Sequence, residues 1–208
     1  MPYPDRHAYP DRFYPVVDSV EWVARLTKLG VGTVQLRAKD LDYSQGLQIV
    51  RDALAVTRGH QTKLVVNDYW RAAIAAGAEH LHLGQEDLAE ADLKAIRAAG
   101  LTLGISTHDD EELATALRAK PDYVALGPIF PTTLKSMRFA PQGIAKIGEW
   151  KKRVGDIPLV AIGGIKLEQA GAIFAAGADS IAVVSDVTQN ADPDARVRAW
   201  LGINAEAA

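Results

Sequence analysis

Residues 63–87 read KLVVNDYWRAAIAAGAEHLHLGQED. The stretch opens on a short apolar run, Lys63–Val66, that reads as a strand. A helical segment follows at Trp70–Ala76, Gly77-Ala78 turns the chain, and His80–Leu83 reads as the next strand. Each run ends on polar residues, Asn67-Asp68 after the first and Gly84-Gln85-Glu86-Asp87 after the second. Two such strands joined through a helix form the unit from which parallel sheets are built.

The unit recurs in both directions. On the N-terminal side lie a strand at Phe13–Val17, a helix at Glu21–Leu29 with Asp18 or Ser19 as its cap, a strand at Gly32–Leu36 and a helix at Tyr43–Arg58. On the C-terminal side, a helix at Leu88–Ala99 precedes a strand at Thr102–Ile105. The acidic run Asp109-Asp110-Glu111-Glu112 opens another helix, which Pro121 stops. A strand at Tyr123–Leu126 leads into a longer loop, 127–142. Then come a helix at Ile144–Val154, a strand at Pro158–Ile162, a helix at Leu167–Ala176, a strand at Ser180–Val184 and a helix at Pro193–Leu201. Ala-Ala-Gly-Ala recurs at 75–78 and 175–178, each time between a helix and a strand.

The strand runs are rich in Val, Ile and Leu and nearly continuous, as strands buried on both faces are. Eight such units predict an α/β fold, a single (β/α)8 TIM barrel. A doubly wound open sheet is the alternative, though it usually needs fewer strands. The barrel is expected over 13–202, with a flexible N-terminal arm at 1–12 and a C-terminal tail at 203–208.

The chain has 208 residues, 48% of them hydrophobic, enough for one large domain with a substantial core. A net charge of −3 gives no global pull toward nucleic acid or a membrane surface, so an anionic ligand must be held by local positive charge. There are no cysteines, which excludes disulfides, thiolate metal sites and a cysteine nucleophile, and fits a cytoplasmic setting. The N-terminal MPYPDRHAYPDR lacks the apolar core of a signal peptide. No run approaches the roughly 18 apolar residues of a membrane span.

The strand endings carry the chemistry. Asp68 and Asp87 end neighbouring strands, and two carboxylates at one point suit a hard cation such as Mg²⁺; each could instead cap its following helix. Arg37 and Lys39 alternate on one side of a strand end, a fork and a point charge for a phosphate, or two solvated charges. Gln35 would then point inward too. Ser106 and Thr107 could bind phosphate or cap a helix. Thr132, Thr133, Lys135 and Arg138 lie on the 127–142 loop, which could close over an anion or be an ordinary solvated loop. Gly163-Gly164 and Ser185 follow strands 7 and 8, where barrels of this kind often seat phosphate on bare backbone N–H groups. The five histidines show no metal-ligand spacing, and the four tryptophans read as packing.

Taken together, Gln-Leu-Arg-x-Lys (35–39), Val-Asn-Asp (66–68), His-Leu-Gly-Gln-Glu-Asp (82–87), Gly-Ile-Ser-Thr-His (104–108), Gly-Pro-Ile-Phe-Pro-Thr (127–132), Ile-Gly-Gly-Ile (162–165) and Val-Val-Ser (183–185) resemble the thiamine phosphate synthase family, with Asn-Asp-Tyr-Trp (67–70) and Ala-Pro-Gln-Gly (140–143) similar to its proteobacterial branch. The resemblance runs from about Tyr14 to Leu201. It implies a Mg²⁺-dependent transferase that joins a pyrimidine diphosphate to a thiazole phosphate. It implies that Gln35, Leu36, Arg37, Ala38, Lys39, Asn67, Ser106 and Lys135 hold the pyrimidine diphosphate, with Arg37, Lys39, Ser106 and Lys135 catalytic. Asp68 and Asp87 would bind the metal. Thr132, Thr133, Leu134, Gly164, Val184 and Ser185 would hold the thiazole phosphate. The partners implied are the two small-molecule substrates, with no nucleic acid and no membrane; a homo-oligomer is left open.

Two positions depart from the family pattern. Leu134 stands where many members carry a hydroxyl, and Asp186 follows Ser185 where many carry Ala. An inward Asp186 would oppose phosphate binding; one facing away would not. Two other classes compete: a thiazole tautomerase on the same barrel, which needs a histidine where Pro128 stands, and a non-catalytic phosphate-ligand sensor. An unrelated sugar-phosphate epimerase would need a different carboxylate or metal-histidine arrangement.

Overall fold

Short buried strands alternate with helices in the computed structural model, which describes residues 9–132 and 139–205. The order is β1 (Phe13–Val17), α1 (Val20–Lys28), β2 (Thr33–Leu36), α2 (Tyr43–Thr57), β3 (Lys63–Asn67), α3 (Trp70–Ala76), β4 (His80–Leu83), α4 (Gln85–Glu90), α5 (Leu93–Ala98), β5 (Thr102–Thr107), α6 (Asp110–Arg118), β6 (Tyr123–Leu126), α7 (Gly143–Val154), β7 (Leu159–Ile162), a 3₁₀ turn (Leu167–Gln169), α8 (Ala170–Ala175), β8 (Ser180–Val183), α9 (Ser185–Thr188) and α10 (Pro193–Ala205). The eight strands pair in parallel, each with its neighbour in sequence, and β8 closes on β1. The fold is the (β/α)8 barrel expected. No described helix is long and apolar enough to cross a membrane.

Local chemistry sets the boundaries. Ser19 caps α1, its hydroxyl accepting from the Trp22 N–H, and Asp42 with Gln45 forms a capping box on α2. The helix expected at Leu88–Ala99 is two helices. The Asp92 carboxylate accepts from the N–H groups of Lys94 and Ala95, which starts α5 afresh and leaves Ala91 extended. The strand expected to end at Ile105 continues to Thr107, because Ser106 and Thr107 stay in register with Ala125 and Leu126. Thr107 is a packing residue: its buried hydroxyl donates to the Ala125 carbonyl and accepts from the Trp150 indole.

Alternation divides the core. Phe13, Val34, Leu36, Leu64, Val124 and Leu126 face outward and pack with the helices. Tyr14, Val16, Val65, Tyr123, Ala125, Val160 and Ala182 fill the barrel. Gly104 also lies on an inward position, and its missing side chain is the space that the Tyr123 ring occupies. At the N-terminal end, Tyr9 stacks on His80 with ring centres 4.5 Å apart and meets the edge of Tyr123. The Ser180 hydroxyl donates to the Asp11 carbonyl, so residues 9–12 lie against the bottom of the barrel. Residues 203–205 continue the last helix.

Candidate active site

The C-terminal strand ends open onto a cavity of about 420 Å³. On the β1–β5 side it is lined by Tyr14, Gln35, Arg37, Asn67, His82 and Ser106. On the β7–β8 side it is lined by Gly163, Gly164, Ile165, Val184 and Ser185, and Thr132 borders it from the loop after β6.

Behind the first group runs a continuous hydrogen-bond chain. The Gln35 amide donates to the Tyr14 hydroxyl at 2.7 Å, and the Tyr14 and Tyr123 hydroxyls lie 2.8 Å apart. The Tyr123 hydroxyl meets Nδ1 of His82 at 2.9 Å, and Nε2 of His82 meets the Ser106 hydroxyl at 2.8 Å. Burial pushes His82 down to about 4, so at neutral pH its ring has one donor and one acceptor. With Gln35 donating at one end, Tyr14 passes its hydrogen to Tyr123 and Tyr123 to Nδ1. His82 then donates from Nε2, and the Ser106 hydroxyl hydrogen is released toward the cavity. Gln85 adds a tie, donating to the Ser106 carbonyl at 2.6 Å.

The carboxylates lie on the rim. Asp68, directly after β3, has φ +64, a left-handed conformation uncommon for a residue with a side chain. Its carboxylate takes Lys39 Nζ at 2.5 Å, the Gly84 N–H at 3.3 Å and the Asn67 amide. Burial alone would raise the Asp68 pKa, but Lys39 outweighs it and holds the carboxyl below its usual range. Asp87, in the first turn of α4, goes the other way: partial burial, then the Asp68 charge, push it up to about 6. Both aspartates border a smaller cavity of about 230 Å³, whose other walls include Tyr43, Tyr69 and Trp70. Among the described residues no group of three or more His, Asp or Glu side chains is placed to hold a metal.

Not every expected residue reaches the cavity. Leu36 is packed between sheet and helices, Ala38 is buried outside the cavity lining, and Lys39 is committed to Asp68. Thr133, Leu134, Lys135 and Arg138 lie outside the described residues. The flanks of that segment are pinned. The N–H groups of Ile129 and Phe130 donate to the carbonyls of Ile162 and Gly163, while those of Gln142 and Gly143 donate to Pro128 and Ile129. Gly164 has φ +67, and a side chain there would collide with the Pro131 carbonyl.

Asp186 faces away from the cavity, its side chain 7% exposed and paired with Arg196. Trp150 and Trp200 are fully buried as packing residues, whereas Trp22 lines the main cavity. Tyr14 and Tyr123 had no motif to mark them, and His82 opens the 82–87 motif without a role of its own; the signal of all three is an inward position on a strand.

The family described as thiamine monophosphate synthase matches residues 12–187. A thiamine-phosphate synthase of Rhizobium etli is 55% identical over 195 residues, covering 94% of this chain and 96% of that protein. One of Salmonella typhimurium is 54% identical over 191 residues, covering 91% and 90%. Among solved structures, a thiamine phosphate pyrophosphorylase from Pyrococcus furiosus superposes with a TM-score of 0.81 at 28% identity, covering 94% of this chain and 96% of that one. A 3-hexulose-6-phosphate synthase from Salmonella typhimurium, with a TM-score of 0.70 at 14% identity over 94% and 99%, shares the barrel alone. The fold, the strand-end motifs and these relatives agree: the chain belongs to the thiamine monophosphate synthase family.

Proposed function

We propose that this chain is a transferase that condenses 4-amino-2-methyl-5-hydroxymethylpyrimidine diphosphate with 4-methyl-5-(2-phosphoethyl)thiazole, giving thiamine phosphate and diphosphate. The observation that carries the reading is one cavity with Arg37, Asn67 and Ser106 on its β2–β5 side and the glycine-rich turns after β7 and β8 on the other, with the Lys39–Asp68 pair on the neighbouring rim. The high identity to named synthases over nearly the whole chain supports it.

The pyrimidine diphosphate would lie on the β1–β5 side, its ring over Gln35, Asn67 and Ser106. The thiazole phosphate would sit on Gly164, Val184 and Ser185, where two strand-end loops offer backbone N–H groups. The bond from the pyrimidine methylene carbon to the diphosphate oxygen breaks, and its electron pair leaves with diphosphate. The thiazole nitrogen lone pair then forms the new C–N bond to that carbon. Arg37, Lys39 and Lys135 would neutralise the departing charge, Lys135 from outside the described residues. The Ser106 hydroxyl, released by its bond from His82, donates to the pyrimidine. No general base is required.

The aspartates fit a divalent cation. Asp87 is pushed up to about 6 beside Asp68, so the two carboxyls repel each other unless a cation or proton stands between them. Two carboxylates are what Mg²⁺ ordinarily takes from a protein when phosphates and waters supply the rest. Asp68 and Asp87 would hold Mg²⁺, which when bound supplies charge neutralisation at the diphosphate. We propose a cytoplasmic setting, which substrates whose phosphates do not cross hydrocarbon readily would suit.

The test is formation of thiamine phosphate by the purified chain from both substrates, with Mg²⁺ and then with EDTA. Product with Mg²⁺ and none with EDTA is expected. Binding of both ligands without turnover would indicate a sensor, and equal rates in EDTA would remove the metal from the reaction.

A further inference from the structure

The turn after β8 has two faces. Ser185 and Thr188 of α9 border the cavity, while Asp186 points back into the protein. Its carboxylate is fully engaged. One oxygen takes the Arg196 Nε at 2.9 Å, the Trp200 indole at 2.8 Å and the Leu167 N–H at 3.3 Å; the other takes Arg196 Nη2 at 2.9 Å. Arg196 also forks onto Glu168, with bonds of 2.8 and 2.9 Å to its two oxygens.

Glu168 belongs to the loop after β7 and Asp186 to the loop after β8. These are the two loops that form the glycine-rich side of the cavity. One guanidinium from α10 therefore bridges both, and a planar fork can do this where a point charge cannot. The bridge is itself anchored, since Trp200 is buried and stacks on Phe13 of β1 with ring centres 5.4 Å apart. The pair also cancels charge. An unpaired, buried carboxylate one residue from Ser185 would oppose any anion seated there.

We propose that Arg196 is a positioning residue for the thiazole phosphate, which holds the loops after β7 and β8 at the spacing the phosphate needs and neutralises Asp186 behind them. This rests on the placement of that phosphate at Gly164 and Ser185. Arg196 touches no substrate.

The test is steady-state kinetics with both substrates and Mg²⁺ on Arg196→Met, Arg196→Lys, Ser185→Ala and the double variant Arg196→Met with Asp186→Asn. Arg196→Met is expected to raise the KM for the thiazole phosphate about tenfold or more, with the KM for the pyrimidine diphosphate within about twofold. The double variant regains at least about threefold of that loss, because no unpaired carboxylate remains. Arg196→Lys keeps the charge without the fork, gives a smaller rise, and carries the test if Arg196→Met does not fold. An unchanged thiazole phosphate KM in both Arg196 variants, two KM values rising together, or a double variant no better than Arg196→Met overturns the inference. Ser185→Ala separates the two levels. If it raises the thiazole phosphate KM while the Arg196 variants do not, the bridge fails and the site stands. If it leaves that KM unchanged while the Arg196 variants raise it, backbone N–H groups alone hold the phosphate and the bridge stands; if neither raises it, the placement and the bridge fail together.

Discussion

Lys39 Nζ lies 2.5 Å from a carboxylate oxygen of Asp68, across the tops of β2 and β3. The lysine side chain is 47% exposed, so the pair is screened and contributes about 0–1 kcal/mol to folding. Its value lies in chemistry: a cation held beside the rim carboxylates is ready for a diphosphate. Lys39→Met should cost under about 1 kcal/mol in urea unfolding yet cut turnover about tenfold, with a raised KM for the pyrimidine diphosphate. A large loss of stability with normal kinetics would show the reverse.

Asp68 combines a left-handed backbone with a carboxylate, and two substitutions separate these roles. Asn tolerates that backbone, so Asp68→Asn should unfold close to wild type while turnover falls about 100-fold, about 2.7 kcal/mol of barrier. Asp68→Val should lose the activity and, in addition, about 1–2 kcal/mol of stability to backbone strain. Equal stability for the two variants in urea would mean the backbone there is relaxed.

Tyr123 sits in the middle of the chain from Gln35 to Ser106. Tyr123→Phe leaves the Tyr14 hydroxyl and His82 Nδ1 without their shared partner, at a cost of about 1–3 kcal/mol. It also frees the His82 ring to change tautomer, so turnover should drop as well. Kinetics and thermal unfolding on the one variant check both, and unchanged kinetics would remove the chain from catalysis.

His80 and His82 are both pushed down to about 4 by burial. Above about pH 6.5 neither the folded nor the unfolded chain protonates them, and they add no pH dependence. Below it the unfolded chain takes up protons that the folded barrel excludes, so stability falls as pH falls toward 4. The loss is about 2 kcal/mol for each by pH 5. Urea midpoints from pH 7 to pH 5 should fall less steeply in His80→Gln with His82→Gln than in wild type; parallel curves would count against buried neutral histidines.

Much of this architecture is written in local pattern. Continuous apolar runs, Gly77 at a helix end and the spacing of the units suffice for the barrel, and strand order then puts the ends bearing Asp68 and Asp87 side by side. Partnerships between distant residues are not legible in this way. Tyr14 and Tyr123 are 109 positions apart and each reads as an ordinary aromatic in a strand. The direction of Asp186 depends on Arg196, a helix away. Leu36 and Ala38 stand within a motif whose alternate residues face outward, so membership of the motif says nothing about reaching the cavity. The break between α4 and α5 had a visible cue in Asp92, overridden by the longer helical pattern around it.

Gly104 and Tyr123 share one volume inside the barrel, the ring of one filling the space that the other leaves. Neither can drift alone. A side chain at 104 requires a smaller residue at 123, and a smaller residue at 123 leaves a hole beside 104 while unseating His82. The two positions are sterically coupled, and a route of single substitutions from this interior to another passes through a less stable intermediate unless both change together.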